Sequence, residues 1–339
     1  MDIDAIIVGG GPCGLAAAIA LQEAGKNPLV IEKGNIVNAI YHYPTHQTFF
    51  STSEKLEIGG VPFITENYKP KRNQALTYYR EVVKRKGIKI NAYEKVLNVT
   101  KNQSEEFEVQ TDKRHYTVKN VIIATGYYDH PNYMGVPGED LPKVFHYFKE
   151  AHPFFDKDVA VIGGKNSSVD AAIELVKAGA RVTVIYRGKE YSPSIKPWIL
   201  PEFESLVRNG VIKMEFNAHV KEISENKLLY TLDGETYDIK NDFVFAMTGY
   251  HPDHAFLRSM GIQINDETGR PQFNTETMET NVPGIFIAGV IAAGNNANEI
   301  FIENGRFHGG QIAKAIIEKE SGSKKGGSFK ISLSLWRKV

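Results

Sequence analysis

The chain has 339 residues, 42% of them apolar, with 40 basic and 40 acidic side chains in balance and a single cysteine. That length suggests about two domains, and the zero net charge gives no reason to expect nucleic acid or an anionic membrane as a partner. One cysteine excludes an internal disulfide framework, a Cys-x-x-Cys redox motif and a cysteine-rich zinc site, and it fits a reducing, cytoplasmic setting with no metal.

The apolar start, Ala5 to Leu21, is flanked by Asp2 and Asp4 and broken by Gly9-Gly10-Gly11-Pro12, so it reads as folded structure and not as a signal peptide. No stretch reaches the ~18 uninterrupted apolar residues of a membrane span. Asp2–Val8 reads as a buried strand, Gly14–Ala24 as a helix stopped by Gly25, and Pro28–Ile31 as the next strand, which together make one βαβ unit. Asn35 to Ile64 is irregular and rich in aromatics, and a structureless stretch that long is usually functional. The pattern then predicts a helix over Arg72–Lys86 ending at Gly87. Strands follow at Ile88–Ala92, Phe107–Gln110 and Tyr116–Val118, the last two in a hairpin around Asp112-Lys113-Arg114. Val121–Ala124 is an apolar strand ending in Thr125-Gly126. After a Pro/Gly-rich crossover a second βαβ unit begins: strand Val159–Ile162, helix Ser168–Ala178, stop at Gly179, strand Val182–Tyr186. Phe243–Met247 is another strand, ending in Thr248-Gly249, and Pro252 marks a second crossover. Ile285–Ala288 and a helix over Gly309–Lys319 close the fold. The expected class is α/β, with two Rossmann-like domains and the second inserted into the first. Residues 1–128 and 252–320 form one domain, residues 129–251 the other, and residues 321–339 a basic tail.

The first glycine loop, Gly9-x-Gly11-x-x-Gly14, lies between a strand and a helix. Gly9 permits the tight turn, Gly11 lets the backbone approach a pyrophosphate, and Gly14 lets helix and strand pack closely. The helix N-terminus supplies N–H groups and partial positive charge to the phosphates. Glu32 ends the following strand, where a carboxylate accepts ribose hydroxyls. The second loop, Gly163-Gly164-Lys165, is degraded: Lys165 replaces the second fingerprint glycine and Ser168 the third. The strand after it ends in Tyr186-Arg187-Gly188-Lys189, with no acid. Arg187 suits a 2′-phosphate and so favours NADPH over NADH; a solvated basic turn is the plain structural alternative.

The set of Gly9-Gly10-Gly11-Pro12-Cys13-Gly14, Val121-Ile122-Ile123-Ala124-Thr125-Gly126, Val161-Ile162-Gly163-Gly164, Thr248-Gly249-Tyr250-His251-Pro252 and Val282-Pro283-Gly284-Ile285-Phe286-Ile287-Ala288-Gly289 resembles the thioredoxin reductase-like branch of flavoproteins with two dinucleotide-binding domains. The resemblance covers most of residues 1–320. It implies that the first domain holds FAD, the inserted domain NADPH, and that the crossovers act as a hinge. The FAD contacts it implies are Gly9, Gly11, Pro12, Cys13, Gly14, Glu32, Lys33, Thr45, Ala124, Thr125, Gly126, Gly289 and Val290. The NADPH contacts are Gly163, Gly164, Lys165, Asn166, Ser167, Ser168, Arg187, Lys189, Thr248 and Gly249. The chain departs from the pattern in three ways. Val144–Phe155 lacks the Cys-x-x-Cys of thioredoxin reductases, Val290 stands where an Asp usually contacts the flavin's ribityl chain, and the second fingerprint is degraded.

Within that branch, Pro12-Cys13-Gly14, Tyr43-Pro44, Phe49-Phe50-Ser51-Thr52, Gly163-Gly164-Lys165-Asn166-Ser167 and Tyr191-Ser192-Pro193-x-x-Lys196-Pro197-Trp198 resemble bacillithiol disulfide reductases. This implies NADPH-dependent reduction of an oxidised low-molecular-weight thiol, with Cys13 as the functional cysteine, in a homodimer or higher homo-oligomer. Cys13 would attack the disulfide as a thiolate. The helix N-terminus lowers its pKa while a flavin pyrophosphate raises it, so the sign stays open at this level, and a small packing residue is the competing reading. His42 and His46, in the aromatic loop with Thr45, are candidate proton donors. Asn295, Asn296, Asn298, Glu299 and Glu303 precede the last helix, whose N-terminus the resemblance aims at the flavin ring. Lys189, Ser192 and Lys196 suit either the carboxylates of bacillithiol or a phosphate of NADPH. In the tail, Phe329 and Trp336 are candidates to cover the flavin. Two other readings compete: an NADPH-dependent reductase of ferredoxin or flavodoxin, which needs no cysteine, and a flavin-bound redox sensor switched at Cys13.

Overall fold

The computed structural model describes residues 2–323. The chain runs through β1 (Ala5–Val8), α1 (Pro12–Glu23), β2 (Pro28–Glu32), the short helices α2 (Asn38–His42) and α3 (Ser53–Leu56), then α4 (Arg72–Lys86) and β3 (Ile90–Ala92). Strands β4 (Val96–Lys101), β5 (Phe107–Thr111) and β6 (His115–Val118) form an antiparallel meander before β7 (Asn120–Ile123). A crossover leads to β8 (Val144–Phe145), β9 (Asp158–Ile162), α5 (Asn166–Lys177), β10 (Arg181–Ile185), α6 (Leu200–Arg208) and β11 (Ile212–Glu215). A second meander, β12 (Ala218–Ile223), β13 (Lys227–Leu232) and β14 (Glu235–Lys240), precedes β15 (Phe243–Ala246). After the return crossover come α7 (His254–Ser259), β16 (Ile285–Ile287), α8 (Ile302–Gly305) and α9 (His308–Ser323).

Two parallel sheets organise these elements, in the orders β16-β7-β1-β2-β3 and β11-β10-β9-β15-β8. The first takes β16 from the far end of the chain; the second is complete within residues 144–246. The result is two Rossmann-like units, one inserted into the other. In each, the chain leaves the central strand, β1 or β9, and builds outward in one direction before returning on the other side. The carboxyl end of that strand is the switch point where ligands bind in open α/β sheets.

Strands covered on both faces read as unbroken apolar runs. All of β1 is buried, and Ile6, Ile7, Ile122 and Phe286 are fully enclosed. Each such side chain stabilises the fold by roughly 1.5–3 kcal/mol. Helix α9 lies so close to α1 that a β-carbon on Gly309 would stand 2.6 Å from the Ala17 Cα.

Some expected elements shift. β1 begins at Ala5 because Asp4 instead bonds Asn27: Asp4 N–H donates to Asn27 O at 3.1 Å and Asp4 Oδ2 accepts from Asn27 N at 2.7 Å. α1 begins two residues earlier than its pattern, at Pro12, whose missing N–H costs nothing at a first helical position. The stretch expected to be irregular contains α2 and α3. Strand β4, helix α6 and strands β11–β14 had no counterpart in the sequence reading. Most of the basic tail, including Phe329 and Trp336, lies outside the described residues.

The two crossovers are paired. Asn132 N donates to Gly249 O at 2.9 Å and His251 N to His130 O at 3.0 Å. Asn132 Nδ2 donates to Thr248 O at 3.2 Å, and the Thr248 hydroxyl donates to Asn132 O. Tyrosines crowd beside this ribbon: the Tyr128 and Tyr250 rings are 4.7 Å apart, Tyr128 and Tyr147 5.2 Å, and Tyr147 and Tyr250 5.5 Å.

Candidate functional site

The loop after β1 is shaped by what a side chain would strike. Gly9 adopts φ +110°, and a β-carbon there would lie 2.4 Å from Ala124 O. One on Gly14 would lie 2.0 Å from Gly9 O, so helix, turn and strand touch through backbone. At Gly11 an added β-carbon meets nothing within 4 Å: this backbone faces open space. Leu15 N makes the first helical bond, to Gly11 O at 2.9 Å, so the N–H groups of Cys13 and Gly14 precede the helical ladder and suit a phosphate.

Glu32 closes the other side. It is 6% exposed; its Oε2 accepts from Gly10 N and its Oε1 from Gly34 N, both at 2.7 Å. Burial raises its carboxyl pKa against those two donors. Each carboxylate oxygen keeps a second lone pair for a ribose hydroxyl. Lys33 turns to Asp129 at 2.9 Å, joining this strand end to the first crossover. An open glycine backbone beside a buried acid fits a dinucleotide such as FAD.

At the far wall, Gly289 (φ +81°) donates its N–H to His308 Nδ1 at 3.1 Å. Burial lowers the His308 pKa. An accepting Nδ1 places the proton of the neutral ring on Nε2. His308 was not singled out in the sequence; its place at the head of α9, before Gly309-Gly310, is the signal that existed. Val290 brings no carboxylate here.

Cys13 lies between these walls. A β-carbon on Gly289 would be 3.2 Å from its Sγ, and one on Gly305 2.9 Å. The thiol is packed against two glycines, and burial pushes its pKa up to about 12. Burial thus acts on the thiol in the raising direction, against the helix N-terminus, while the residue itself keeps partial exposure.

The other candidates scatter. His42 and His46 are exposed. The ring of His42 meets Tyr41 at 5.1 Å, and its carbonyl accepts from the Tyr128 hydroxyl at 3.3 Å. Thr45 N donates to Lys149 O at 2.8 Å, tying the aromatic loop to the inserted unit. Asn295, Asn296, Asn298 and Glu299 are exposed; Glu299 pairs with Arg270, and Glu303 lies 3.9 Å from Lys55.

The second loop repeats the plan with different parts. Gly163 has φ +133°, and a β-carbon there would meet Met247 O at 2.5 Å; one on Gly164 would meet the Tyr186 ring at 2.4 Å. Three candidates for nucleotide contact have side chains engaged elsewhere. Asn166 Nδ2 donates to Ser194 O at 2.8 Å while its Oδ1 accepts from Lys196 N at 2.9 Å. The buried Ser168 hydroxyl donates to Lys165 O at 2.8 Å, and that of Thr248 to Asn132 O. Their remaining capacity for a nucleotide is one amide N–H and free lone pairs, besides the backbone. Lys165, Ser167, Arg187 and Lys189 are exposed, and among the described residues none of the three cations has a carboxylate partner. An unpaired basic cluster beside a helix N-terminus fits a phosphorylated dinucleotide.

The sequence profile of the pyridine nucleotide-disulphide oxidoreductases matches residues 6–289. The chain belongs to that family. This pyridine nucleotide-disulphide oxidoreductase is 73% identical over 318 residues to the bacilliredoxin reductase of Bacillus subtilis (strain 168), a match covering 94% of this chain and 98% of the relative. The solved bacillithiol disulfide reductase of Bacillus cereus superposes with a TM-score of 0.93 at 70% identity, covering 94% of this chain and 100% of that one. The corresponding Staphylococcus aureus structure gives 0.92 at 60% identity, again over 94% and 100%. Membership implies an enzyme that uses a flavin and a pyridine nucleotide. Among the described residues, no helix is long and apolar enough to cross a membrane.

Proposed function

We propose that this chain is an NADPH-dependent FAD enzyme that reduces bacillithiol disulfide. The observation that carries the reading is the near-full-length similarity, at 60% and 70% identity, to structures named for that reaction. The two glycine loops support the choice of cofactors. FAD is held by the backbone of Gly9, Gly11, Cys13 and Gly14, by the Glu32 carboxylate, and by Ala124, Thr125, Gly126 and Gly289. NADPH is held by the 163–168 turn, with Arg187, Lys165 and Lys189 on its phosphates. Residues 1–128 with 252–320 form the flavin unit, and residues 129–251 the nucleotide unit.

When bound, the flavin supplies the two-electron relay between nicotinamide and disulfide. The chain orients both nucleotides through these loops, while the tyrosine cluster packs at the crossovers between the units. A mixed disulfide at Cys13 requires a thiolate that can reach substrate. Burial raises the pKa of the thiol, and Gly289 and Gly305 pack on it, although the residue keeps partial exposure. We therefore assign Cys13 to packing, with the acceptor reduced without a protein sulfur.

The B. subtilis relative is named for bacilliredoxin, and this favours a second reading, in which the acceptor disulfide is carried on a protein. An anaerobic stopped-flow experiment separates the two. The flavin is reduced with NADPH and mixed with bacillithiol disulfide; rapid reoxidation is expected. If only a bacilliredoxin–bacillithiol mixed disulfide reoxidises it, the acceptor is the protein. In Cys13→Ala, disulfide-dependent turnover should stay within about threefold of the parent; a loss above ~100-fold with flavin content intact would restore the mixed-disulfide step.

A further inference from the structure

Residues 192–198 of the inserted unit lie against the first unit through aromatic rings and ammonium groups. The Trp198 ring meets Phe50 edge-on, with centroids 6.2 Å apart. Lys69 Nζ stands 3.8 Å from the Trp198 ring centre. Lys196 Nζ stands 5.5 Å from the Phe50 centre and 5.8 Å from that of Phe301. Both lysines are half-buried, and among the described residues neither has a carboxylate partner.

Ring faces attract each ammonium but carry no net charge, so they cannot cancel the repulsion between two cations flanking one pair of rings. Partial burial weakens solvent screening of that repulsion. The main chain that carries Lys196 is also held in place before any ligand arrives. The Lys196 N–H and the Ser194 carbonyl are both bonded to the Asn166 amide, at 2.9 and 2.8 Å, and the Ser192 and Ser194 hydroxyls meet at 2.8 Å. A pair of unpaired cations, one of them on a pinned main chain, is suited to an anion at reduced ordering cost. Phe301 follows Ile300, and a β-carbon on Gly305 would lie 3.2 Å from Ile300 Cγ2 and 2.9 Å from Cys13 Sγ. Lys196 thus meets Phe301, in the segment whose Gly305 packs on Cys13 of the first glycine loop. The cluster of Lys165, Arg187 and Lys189 belongs to the second.

We propose that Lys69 and Lys196 form a carboxylate-binding subsite for the acceptor disulfide, walled by Phe50, Trp198 and Phe301. The proposal rests on the reading that the acceptor is bacillithiol disulfide, whose malyl groups carry carboxylates. Lys196 is a specificity-determining residue supplied by the nucleotide unit, and Lys69 its counterpart from the flavin unit.

The test compares bacillithiol disulfide with the same disulfide esterified at its malyl carboxylates, using holoenzyme. In Lys69→Gln/Lys196→Gln the KM for the acid should rise by about 10–100-fold, as expected for losing charge-assisted bonds, while the KM for the ester stays as in the parent. Lys196→Arg, which keeps the charge, should retain most of the affinity. Equal KM changes for acid and ester would overturn the subsite. So would a rise in the KM for NADPH in place of the acceptor, or a defect confined to a protein-borne disulfide. Calorimetric titration of reduced bacillithiol into parent and double variant checks binding without turnover. Binding lost in the variant supports the subsite even if the disulfide is not reduced, in which case only the functional reading fails. Equal binding by both proteins, or no binding by the parent, overturns the subsite.

Discussion

Strands β1 and β9 hold the same place in their sheets. Each ends in a glycine at positive φ whose β-carbon would strike a backbone carbonyl, 2.4 Å away at Gly9 and 2.5 Å at Gly163. Beyond that turn the two sites diverge. The first is made of backbone and one buried acid, with no room for a side chain at Gly14. The second puts a buried serine at the matching position, an exposed lysine at the loop, and a pair of cations where the acid was. The difference teaches how one scaffold can suit two nucleotides in different ways. Close backbone contact suits a cofactor that stays, whereas exposed charge suits one that binds and leaves.

The widest break in the comparison should come from adding one carbon to each loop. Gly14→Ala drives a β-carbon onto Gly9 O. It should cost ~3 kcal/mol or more and yield protein without flavin, read from the ratio of flavin to protein absorbance and from thermal unfolding. Ser168→Ala removes only the bond to Lys165 O and should cost about 1 kcal/mol with flavin retained. Next in size, Arg187→Ala should raise the KM for NADPH by about 10–100-fold and leave that for NADH nearly unchanged; equal effects on both would remove the 2′-phosphate role. Glu32→Gln keeps the shape but faces an amide N–H₂ toward one of the two donors, Gly10 or Gly34. Flavin affinity should fall by roughly 10-fold, measured by reconstitution of the apoprotein.

The effect confined to alkaline pH concerns Cys13. Its pKa in the folded chain, about 12, lies above the unfolded value of ~8.5. Between those values the folded state keeps a proton that the unfolded state has lost, so stability is full below pH ~8.5 and falls as pH rises toward the folded value. Cys13→Ala should lose that part of the decline. Thermal midpoints of parent and variant between pH 8 and 11, in roughly one-unit steps, check it; parallel curves would mean a thiol that titrates normally.

The paired βαβ units were legible because their signals are local. Glycines, a carboxylate and apolar runs sit within thirty residues of one another, and α4 ends at Gly87, φ +60°, as its pattern predicts. The second meander was not legible: β14 is almost wholly exposed, and its alternation carries no apolar face. Helix α6 hides behind Pro197 and Pro201. The surroundings of Cys13 were not legible because its neighbours, Gly289 and Gly305, are nearly three hundred residues away. For the same reason Lys69 drew no notice. Its partner ring, Trp198, is brought to it only by the packing of one unit on the other.

The hydrogen-bonded crossovers have a consequence for how the molecule can explore its shapes. Two separate tethers let an inserted unit tilt, splay or slide. Here Asn132 and His251 bond across to Gly249 and His130, so the tethers form a single two-stranded strap. Splaying it would break backbone bonds, whereas twisting along its length leaves them whole. As far as the strap is concerned, the inserted unit keeps one cheap coordinate, which turns a search through orientations into travel along a line.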